Sequence, residues 1–548
     1  MSISGQDKLT NGAELVVETL LREGANIVFG LPGIQLDPLF AAFFDGRDRL
    51  KLIDTRHEQG AAYMALGFAE ASGKPGVFTV VPGPGMLNAG AALSTAYACG
   101  SPVIAMIGQI ASSHIGMRLG DLHELPDQSG ILKRLARSHD LVTAPAKVPD
   151  ALARAFDWIA RPGQGPAALE LPPDVLAGSC EPVPAAARDT VPASLPMDAL
   201  AKMSAMLAAA RNPMIFAGRG AVHAAEPLAR IAKRMNIPVV LQGRAKGVLP
   251  DSHPLALNLL AASSLWRDCD LVIAVGTRMK SPLQAWPLPV GTSLVTIDID
   301  ATSAPAVSMA DLFIKADALA ALEALELLLG HHDVKASLGV EQAKADAQAK
   351  IEEALAPQMG FLKAIRRALG EDGCIVTDYT QIGYVASVGY PVEAPRRIIT
   401  SGYQGTLGYA FATALGAKVA LPDKRVAAIV GDGGFLFTAT ELATAVKHRI
   451  GVVTLLFNDG KFGNVRRIQE TVYGGKVIAT DLVNPDFCAF AESFGARGAK
   501  VASPDDLAAA MEEAFRHDLP TVIEIPVGDF PDPWPFLYPA LPEIVPVG

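Results

Sequence analysis

Features that would place the chain in a special class are scarce. Only five of the 548 residues are cysteine (Cys99, Cys180, Cys269, Cys374 and Cys488), and none are in CxxC spacing. A scattered, odd set builds neither a disulfide framework nor a zinc site, and reads as small buried residues in a reducing compartment. Aromatic residues reach only 6%. Positive charge is in deficit, with 47 Lys and Arg against 57 Asp and Glu, a net charge of −10. Nucleic acids are held largely through Lys and Arg contacts to phosphate, so they are not expected as partners. No uninterrupted apolar run approaches the roughly 20 residues that cross a bilayer. Residues 1–12 are polar and lack a signal-peptide core. The expectation is a cytoplasmic protein with neither membrane nor nucleic-acid partners.

What is present is a chain rich in buried-type residues, 50% hydrophobic and 19% charged. Its length exceeds one core and suggests about three domains. From 12 to 176, short apolar runs (27–29, 76–81, 102–107, 167–171) alternate with helical patterns such as 13–23. That rhythm predicts a parallel sheet. Residues 177–196 turn Pro/Ala-rich, as a linker does. A second unit has strand-like runs at 214–217, 239–241, 271–275 and 294–299, and 331–340 is a polar break before a third unit. The Pro-rich tail, 531–548, is expected to pack as an extended arm. The fold class expected is α/β, with three doubly wound parallel-sheet domains at 1–178, 196–330 and 345–530, then the arm. In the middle unit Gly218-Arg219-Gly220 follows a strand, but His223 stands where a dinucleotide fingerprint needs its third glycine. A tight structural turn is the favoured reading there.

The most informative stretch is 431–461. Gly431-Asp432-Gly433-Gly434 follows the apolar run 426–430, and Asn458-Asp459 closes the run 452–457. The pattern predicts strand, tight turn, helix, strand. Both polar sets then lie at the carboxyl ends of parallel strands, where open α/β sheets bind ligands. Glycines let backbone approach a diphosphate. Two carboxylates and a nearby carbonyl suit Mg²⁺, which takes hard oxygen ligands beside phosphates.

These residues resemble the signature of thiamine-diphosphate enzymes: G-D-G, about two dozen residues, then N-N. The spacer from Gly434 to Phe457 is 24 residues, and Asp459 replaces the second Asn. The resemblance implies that Asp432, Asp459 and the Lys461 carbonyl hold Mg²⁺. It also implies that Gly431, Gly433, Gly434, Phe462 and Gly463 form the cofactor loops. A carboxylate at 459 adds negative charge beside the diphosphate. A second motif, Arg56-His57-Glu58-Gln59-Gly60-Ala61, opens a helix after the run 52–54. Alone, Glu58 could be a first-turn acid favoured by the helix dipole. In the family, this glutamate hydrogen-bonds N1′ of the aminopyrimidine and promotes deprotonation of thiazolium C2. His57 beside it reads as structural. Gly402-Tyr403-Gln404-Gly405-Thr406-Leu407 resembles the segment that props the cofactor bent, with Leu407 under the rings and the Gly405 carbonyl accepting from the 4′-amino group. Judged locally, Leu407 is a plain core leucine. Thr380 and Gln381, after the strand 374–376, stand where the family binds diphosphate at a helix start.

The resemblance runs along nearly the whole chain. Further matches are Val28-Phe29-Gly30-Leu31-Pro32-Gly33, Val81-Pro82-Gly83-Pro84-Gly85, Gly108-Gln109 and Asn484-Pro485-Asp486-Phe487. It implies the group of acetolactate synthase, benzoylformate decarboxylase and benzaldehyde lyase. That group has pyrimidine-binding, middle and diphosphate-binding domains. Its cofactors are thiamine diphosphate and Mg²⁺, and FAD, bound by only some members, is not expected from the incomplete middle-domain turn. The minimum active unit is a homodimer, with homotetramers common. Substrate-facing positions depart from all three enzymes: Ile34 and Gln35 after the first loop, Val81, Leu122-His123-Glu124, and Asn464 and Ile468. His123 is either a proton shuttle or a loop histidine making a structural hydrogen bond. It joins Glu58 and Gln35 as a catalytic candidate, with Gln109 and Asn464 behind them. Arg466 and Arg467 could fork onto a substrate carboxylate or lie on a solvated helix face. Expected functions are decarboxylation of a small 2-oxoacid with ligation of the acyl anion to a carbonyl acceptor, or simple decarboxylase or aldehyde lyase action. A non-catalytic binding role is disfavoured by the intact Glu58 and Asp432.

Overall fold

The computed structural model describes residues 9–161, 163–183, 194–302, 306–330 and 339–542. The linker near 177–196, the break near 331–340, the first residues and the end of the tail therefore fall partly outside the described residues. Two compact units emerge, one of Met1–Thr190, Ser401–Lys500 and Glu513–Pro526, the other of Val191–Thr400, Val501–Glu512 and Val527–Gly548.

Three six-stranded sheets carry the chain, with parallel pairing throughout, as the α/β rhythm predicts. The first runs, edge to edge, Lys51–Asp54, Ile27–Gly30, Gly76–Val80, Val103–Gly108, Ala167–Leu171, Ser138–Leu141. The third repeats that order with Ile398–Thr400, Cys374–Thr377, Val426–Gly431, Val453–Asn458, Thr521–Pro526, Arg497–Lys500. In the first sheet, chain order reverses between its first and third strands, Ile27–Gly30 and Gly76–Val80, which opens a crevice at their carboxyl ends. The middle sheet has the dinucleotide-fold order: Ala256–Leu257, Val239–Leu241, Pro213–Ala217, Leu271–Val275, Ser293–Asp298, Leu312–Lys315. Its glycines serve packing. A Cβ at Gly218 would lie 2.3 Å from the Gly276 oxygen, and one at Gly220 2.6 Å from the Gly276 Cα. His223, in place of the third glycine, pairs with Asp317 at 2.7 Å.

Central strands are buried on both faces, which explains their unbroken apolar runs. Edge strands such as Ser138–Leu141 and Arg497–Lys500 are half-exposed and polar, and periodicity does not single them out. The first helix, Gly12–Arg22, starts where its chemistry dictates: the Asn11 side chain accepts from Glu14 N at 2.9 Å, and Glu14 returns a bond to Asn11 N.

Within the first unit, helix Glu58–Ser72 crosses helix Ala410–Ala420 at backbone contact. A Cβ at Gly67 would lie 1.9 Å from the Thr413 oxygen, and one at Gly416 1.8 Å from the Met64 oxygen. Only glycine permits that approach. Two expectations need correction. The helix predicted after Asp432 is broken into Asp432–Phe435, Ala439–Glu441 and Leu442–Lys447, because the glycine pair and the exposed Leu436-Phe437 interrupt any single apolar face. The tail is not wholly extended. Trp534–Leu537 forms one helical turn, and Trp534 stacks on Tyr538, the residue that follows the turn, with centroids 5.8 Å apart. Among the described residues, no helix is long and apolar enough to cross a membrane.

Candidate active site

Glu58 is the first residue of its helix, where the dipole favours a carboxylate. His57 caps that helix, with Nδ1 accepting from Gln59 N at 3.1 Å. The Glu58 side chain is only 12% exposed. Its Oε2 accepts from Asn88 Nδ2 at 3.0 Å, and a Cβ at Gly85 would lie 3.3 Å from its Oε1. The turn before it is held from the far end of the sequence. Buried Glu441 accepts from His57 N at 2.9 Å and from Arg56 N at 3.2 Å, while the Thr444 hydroxyl donates to it at 2.5 Å. Burial pushes the Glu441 carboxyl up. Asp54 accepts from Lys447 Nζ at 2.6 Å and lies 2.8 Å from His448 Nε2. Burial opposes its charge, yet these partners hold its carboxyl below the ordinary range.

The wall continues through Val81. A Cβ at Gly85 would lie 2.7 Å from Val81 Cγ2, and one at Gly33 2.3 Å from Val81 Cγ1. Loops after the first and third strands thus meet at the switch point of the sheet. There Gln35, 7% exposed, and His123 are hydrogen-bonded to one another, with Oε1 3.2 Å from Nδ1. Gln109 is occupied elsewhere: it donates to Glu170 Oε2 at 2.7 Å. Glu170 is fully buried and also accepts from Gln128 at 2.9 Å and Ser129, with His139 Nε2 at 2.6 Å. Burial acts against its charge, but these partners hold the carboxyl low.

Asp432 and Asp459 follow neighbouring strands in which Gly431 is opposite Phe457. Asp432 is 1% exposed, and its Oδ2 accepts from Asn484 Nδ2 at 2.6 Å. Burial raises its carboxyl. Asp459 is pushed up to about 6, first by burial and then by the charge of Asp432. Two desolvated carboxylates in mutual repulsion are a setting that a divalent cation relieves, and the donors are the hard oxygens Mg²⁺ takes. The residues therefore fit such an ion. Phe462 packs where Gly433 lacks a side chain, and a Cβ at Gly463 would lie 2.8 Å from Asp459 Oδ2. Lys461 N donates to Asp459 at 3.3 Å, and the Lys461 backbone pairs with that of Asp481 in an isolated antiparallel β-bridge. Gly434 is buried, its oxygen 2.8 Å from where a Gly408 Cβ would stand.

Gly405 has a left-handed backbone at φ 65°. Leu407 is only half-buried, not the core leucine of a local reading. The neighbouring Thr406 hydroxyl lies 3.2 Å from that of Thr95. Arg466 is engaged by Glu470 at 2.9 Å and by Asp481 at 2.5 Å, and Arg467 donates to Asn464 at 3.1 Å. In the other unit, Thr380 caps helix Gln381–Gly389, accepting from Gly383 N at 3.0 Å, and the buried Gln381 Oε1 has no partner among the described residues. An orphaned acceptor at a helix start leaves room for a donor from a ligand or solvent.

Asn88, Glu441, Asn484 and Glu170 support the site, yet sequence reasoning gave them no role. Asn484 alone carried a signal, the Asn-Pro-Asp-Phe match. The others have none, because their partners lie far along the chain.

Comparison with known proteins matches three parts of the thiamine pyrophosphate enzyme family: its N-terminal TPP binding domain over residues 10–131, its central domain over 200–325 and its C-terminal TPP binding domain over 378–525. A probable acetolactate synthase large subunit of Methanocaldococcus jannaschii is 32% identical, over 94% of this chain and 91% of the relative. A probable 2-ketoarginine decarboxylase of Pseudomonas aeruginosa is 33% identical, over 95% and 94%. Acetolactate synthase isozyme 3 large subunit of Escherichia coli is 30% identical, over 93% and 92%.

Proposed function

Because the chain belongs to the thiamine pyrophosphate enzymes of the acetolactate synthase group, and so is an enzyme using that cofactor on 2-oxoacids, we propose that it decarboxylates a small 2-oxoacid and joins the remaining acyl unit to a carbonyl acceptor. The observation that carries the reading is the Asp432–Asp459 pair, two desolvated carboxylates at neighbouring strand ends whose hard oxygens suit a divalent cation. Ligation draws its support from the acetolactate synthases among the relatives.

When bound, thiamine diphosphate supplies an acidic carbon that can add to a 2-oxo group and hold the charge left by CO₂. The chain supplies the rest. Asp432, Asp459 and the Lys461 carbonyl would hold Mg²⁺. Gly431, Gly433, Gly434, Phe462 and Gly463 would line the cofactor, with Thr380 and Gln381 for its diphosphate. Leu407 and the Gly405 carbonyl would fix its bend. Glu58, mostly shielded from water, would share a proton with the aminopyrimidine nitrogen. His123 would move a proton at the acceptor carbonyl or product, with Gln35 beside it. We assign residues 1–178 to pyrimidine binding, 196–330 to a middle domain, 345–530 to diphosphate binding and 531–548 to an arm. Glu58 and the diphosphate site of one cofactor would come from different subunits, giving a homodimer at least and a cytoplasmic homotetramer as the full assembly.

The identity to a 2-ketoarginine decarboxylase favours a second reading, decarboxylation with release of the aldehyde. A panel of 2-oxoacids assayed with thiamine diphosphate and Mg²⁺ separates the two. A coupled hydroxyketone supports ligation, a free aldehyde supports the second reading, and turnover of no 2-oxoacid by cofactor-loaded enzyme refutes both.

A further inference from the structure

The pair at the switch point carries more than proximity. Gln35 Nε2 donates to the Leu122 carbonyl at 2.9 Å. A carbonyl only accepts, so this contact fixes which way the amide of Gln35 faces. Its other end, Oε1, is then the atom 3.2 Å from His123 Nδ1. Oε1 also only accepts, so Nδ1 must carry a proton. In a neutral imidazole that leaves Nε2 with the lone pair. Among the described residues Nε2 has no hydrogen-bond partner, and His123 is half-buried rather than sealed.

The backbone is held as firmly as the ring. His123 has φ 67°, a left-handed conformation uncommon for a residue with a side chain and retained only where surroundings enforce it. Two contacts enforce it. Gln35 grips the preceding carbonyl, and Gly83 packs so closely that a Cβ there would lie 2.4 Å from the His123 oxygen. Gly83 is itself fixed: its N–H donates to Gln128 Oε1 at 2.9 Å, and Gln128 is bound to buried Glu170.

We propose that Gln35 is a positioning residue that locks His123 in the Nδ1–H tautomer, so that protons enter and leave this histidine only at Nε2. Nδ1 keeps its proton, and its bond to Gln35, in both the neutral and the cationic ring. The bond to Gln35 therefore survives each protonation step, and the ring need not turn. This deepens the proposed function and rests on it for the statement that His123 moves protons during turnover; the tautomer itself does not depend on that.

The test uses the full chain labelled with ¹⁵N-histidine, in alkaline buffer where imidazoles are neutral. The His123 signals are assigned by their loss in His123→Asn. Two-bond ¹H–¹⁵N correlation should show a protonated Nδ1 and an unprotonated Nε2. In Gln35→Met, nearly isosteric but without either polar end, the two tautomers should mix, and kcat should fall a few-fold, in proportion to the Nδ1–H form that remains, with KM little changed. A proton on Nε2 in the unsubstituted protein overturns the proposal, even if Gln35→Met does not fold. So does a Gln35→Met protein that keeps the pure Nδ1–H form. An Nδ1–H tautomer in the unsubstituted protein, lost in Gln35→Met without any change in turnover, would uphold the lock. It would refute separately the part this lock plays in turnover.

Discussion

Removing Glu441 tests how the position of Glu58 is maintained. Its carboxylate lies inside the unit, takes the N–H groups of His57 and Arg56 at 2.9 and 3.2 Å, and sits where any side chain on Gly60 would go, 2.2 Å from the Cβ position. Glu441→Ala strands two backbone donors. Each typically costs about 1–3 kcal/mol when left unmet, so the loss should be about 2–6 kcal/mol, tempered by water entering the gap. Glu441→Gln keeps one carbonyl oxygen for both donors and should cost less, about 1–2 kcal/mol. Local effects should exceed global ones, because the turn leads straight into Glu58. A shift on the order of 1 Å in a catalytic group can cost about 10²-fold. Denaturant unfolding reads the first quantity, and H/D exchange at C2 of bound thiamine diphosphate reads the second. Glu441 also has a pH signature. Burial raises its carboxyl, so the stability tied to its neutral form is present below the ordinary carboxylate range and declines as pH rises through the raised value. The advantage of the unsubstituted protein over Glu441→Gln should therefore shrink on going from acid toward neutral pH. Unfolding midpoints and exchange rates unchanged in Glu441→Ala would refute this account of how the turn is held.

Four further outcomes are expected. Glu58→Gln should leave folding and cofactor binding largely intact while slowing C2 H/D exchange by roughly 10²–10⁴-fold; exchange at the normal rate would remove Glu58 from its assigned role. Asp432→Ala should abolish Mg²⁺-dependent retention of thiamine diphosphate in calorimetry, whereas Asp459→Asn, which removes the repulsion that lifts Asp459, should bind at least as well; undiminished binding by Asp432→Ala means the metal lies elsewhere. His123→Ala should leave C2 exchange unchanged but slow turnover on the order of 10²-fold, with cofactor-bound species accumulating in acid-quench NMR; an unchanged distribution and rate would make His123 structural. Glu170, held low by its partners, should contribute stability above the ordinary glutamate range that is lost as pH falls, and Glu170→Gln should flatten that acid limb in thermal unfolding.

The parts of this protein legible in its sequence are those governed by local physics. Buried central strands announce themselves as unbroken apolar runs, and Val426–Gly431 and Val453–Asn458 were readable for that reason. Asp432 and Asp459 follow directly on those strands, so knowing the strands places the acids at one edge of the sheet. Glu58 was readable because a helix start accepts an acid there and its motif is contiguous. The half-exposed edge strands Ser138–Leu141 and Arg497–Lys500 were not, since an edge can be polar on both faces. Nor was the interrupted helix after Asp432, whose breaks depend on what packs around it. Tertiary structure alone decided the rest. Gln35 and His123 are 88 residues apart, and His57 and Glu441 are 384 apart. Neither periodicity nor spacing encodes such pairs. They exist because the crossing of helices Glu58–Ser72 and Ala410–Ala420 and the closing of loops over one sheet bring distant donors and acceptors within 3 Å or so, where burial leaves them no water to bond instead.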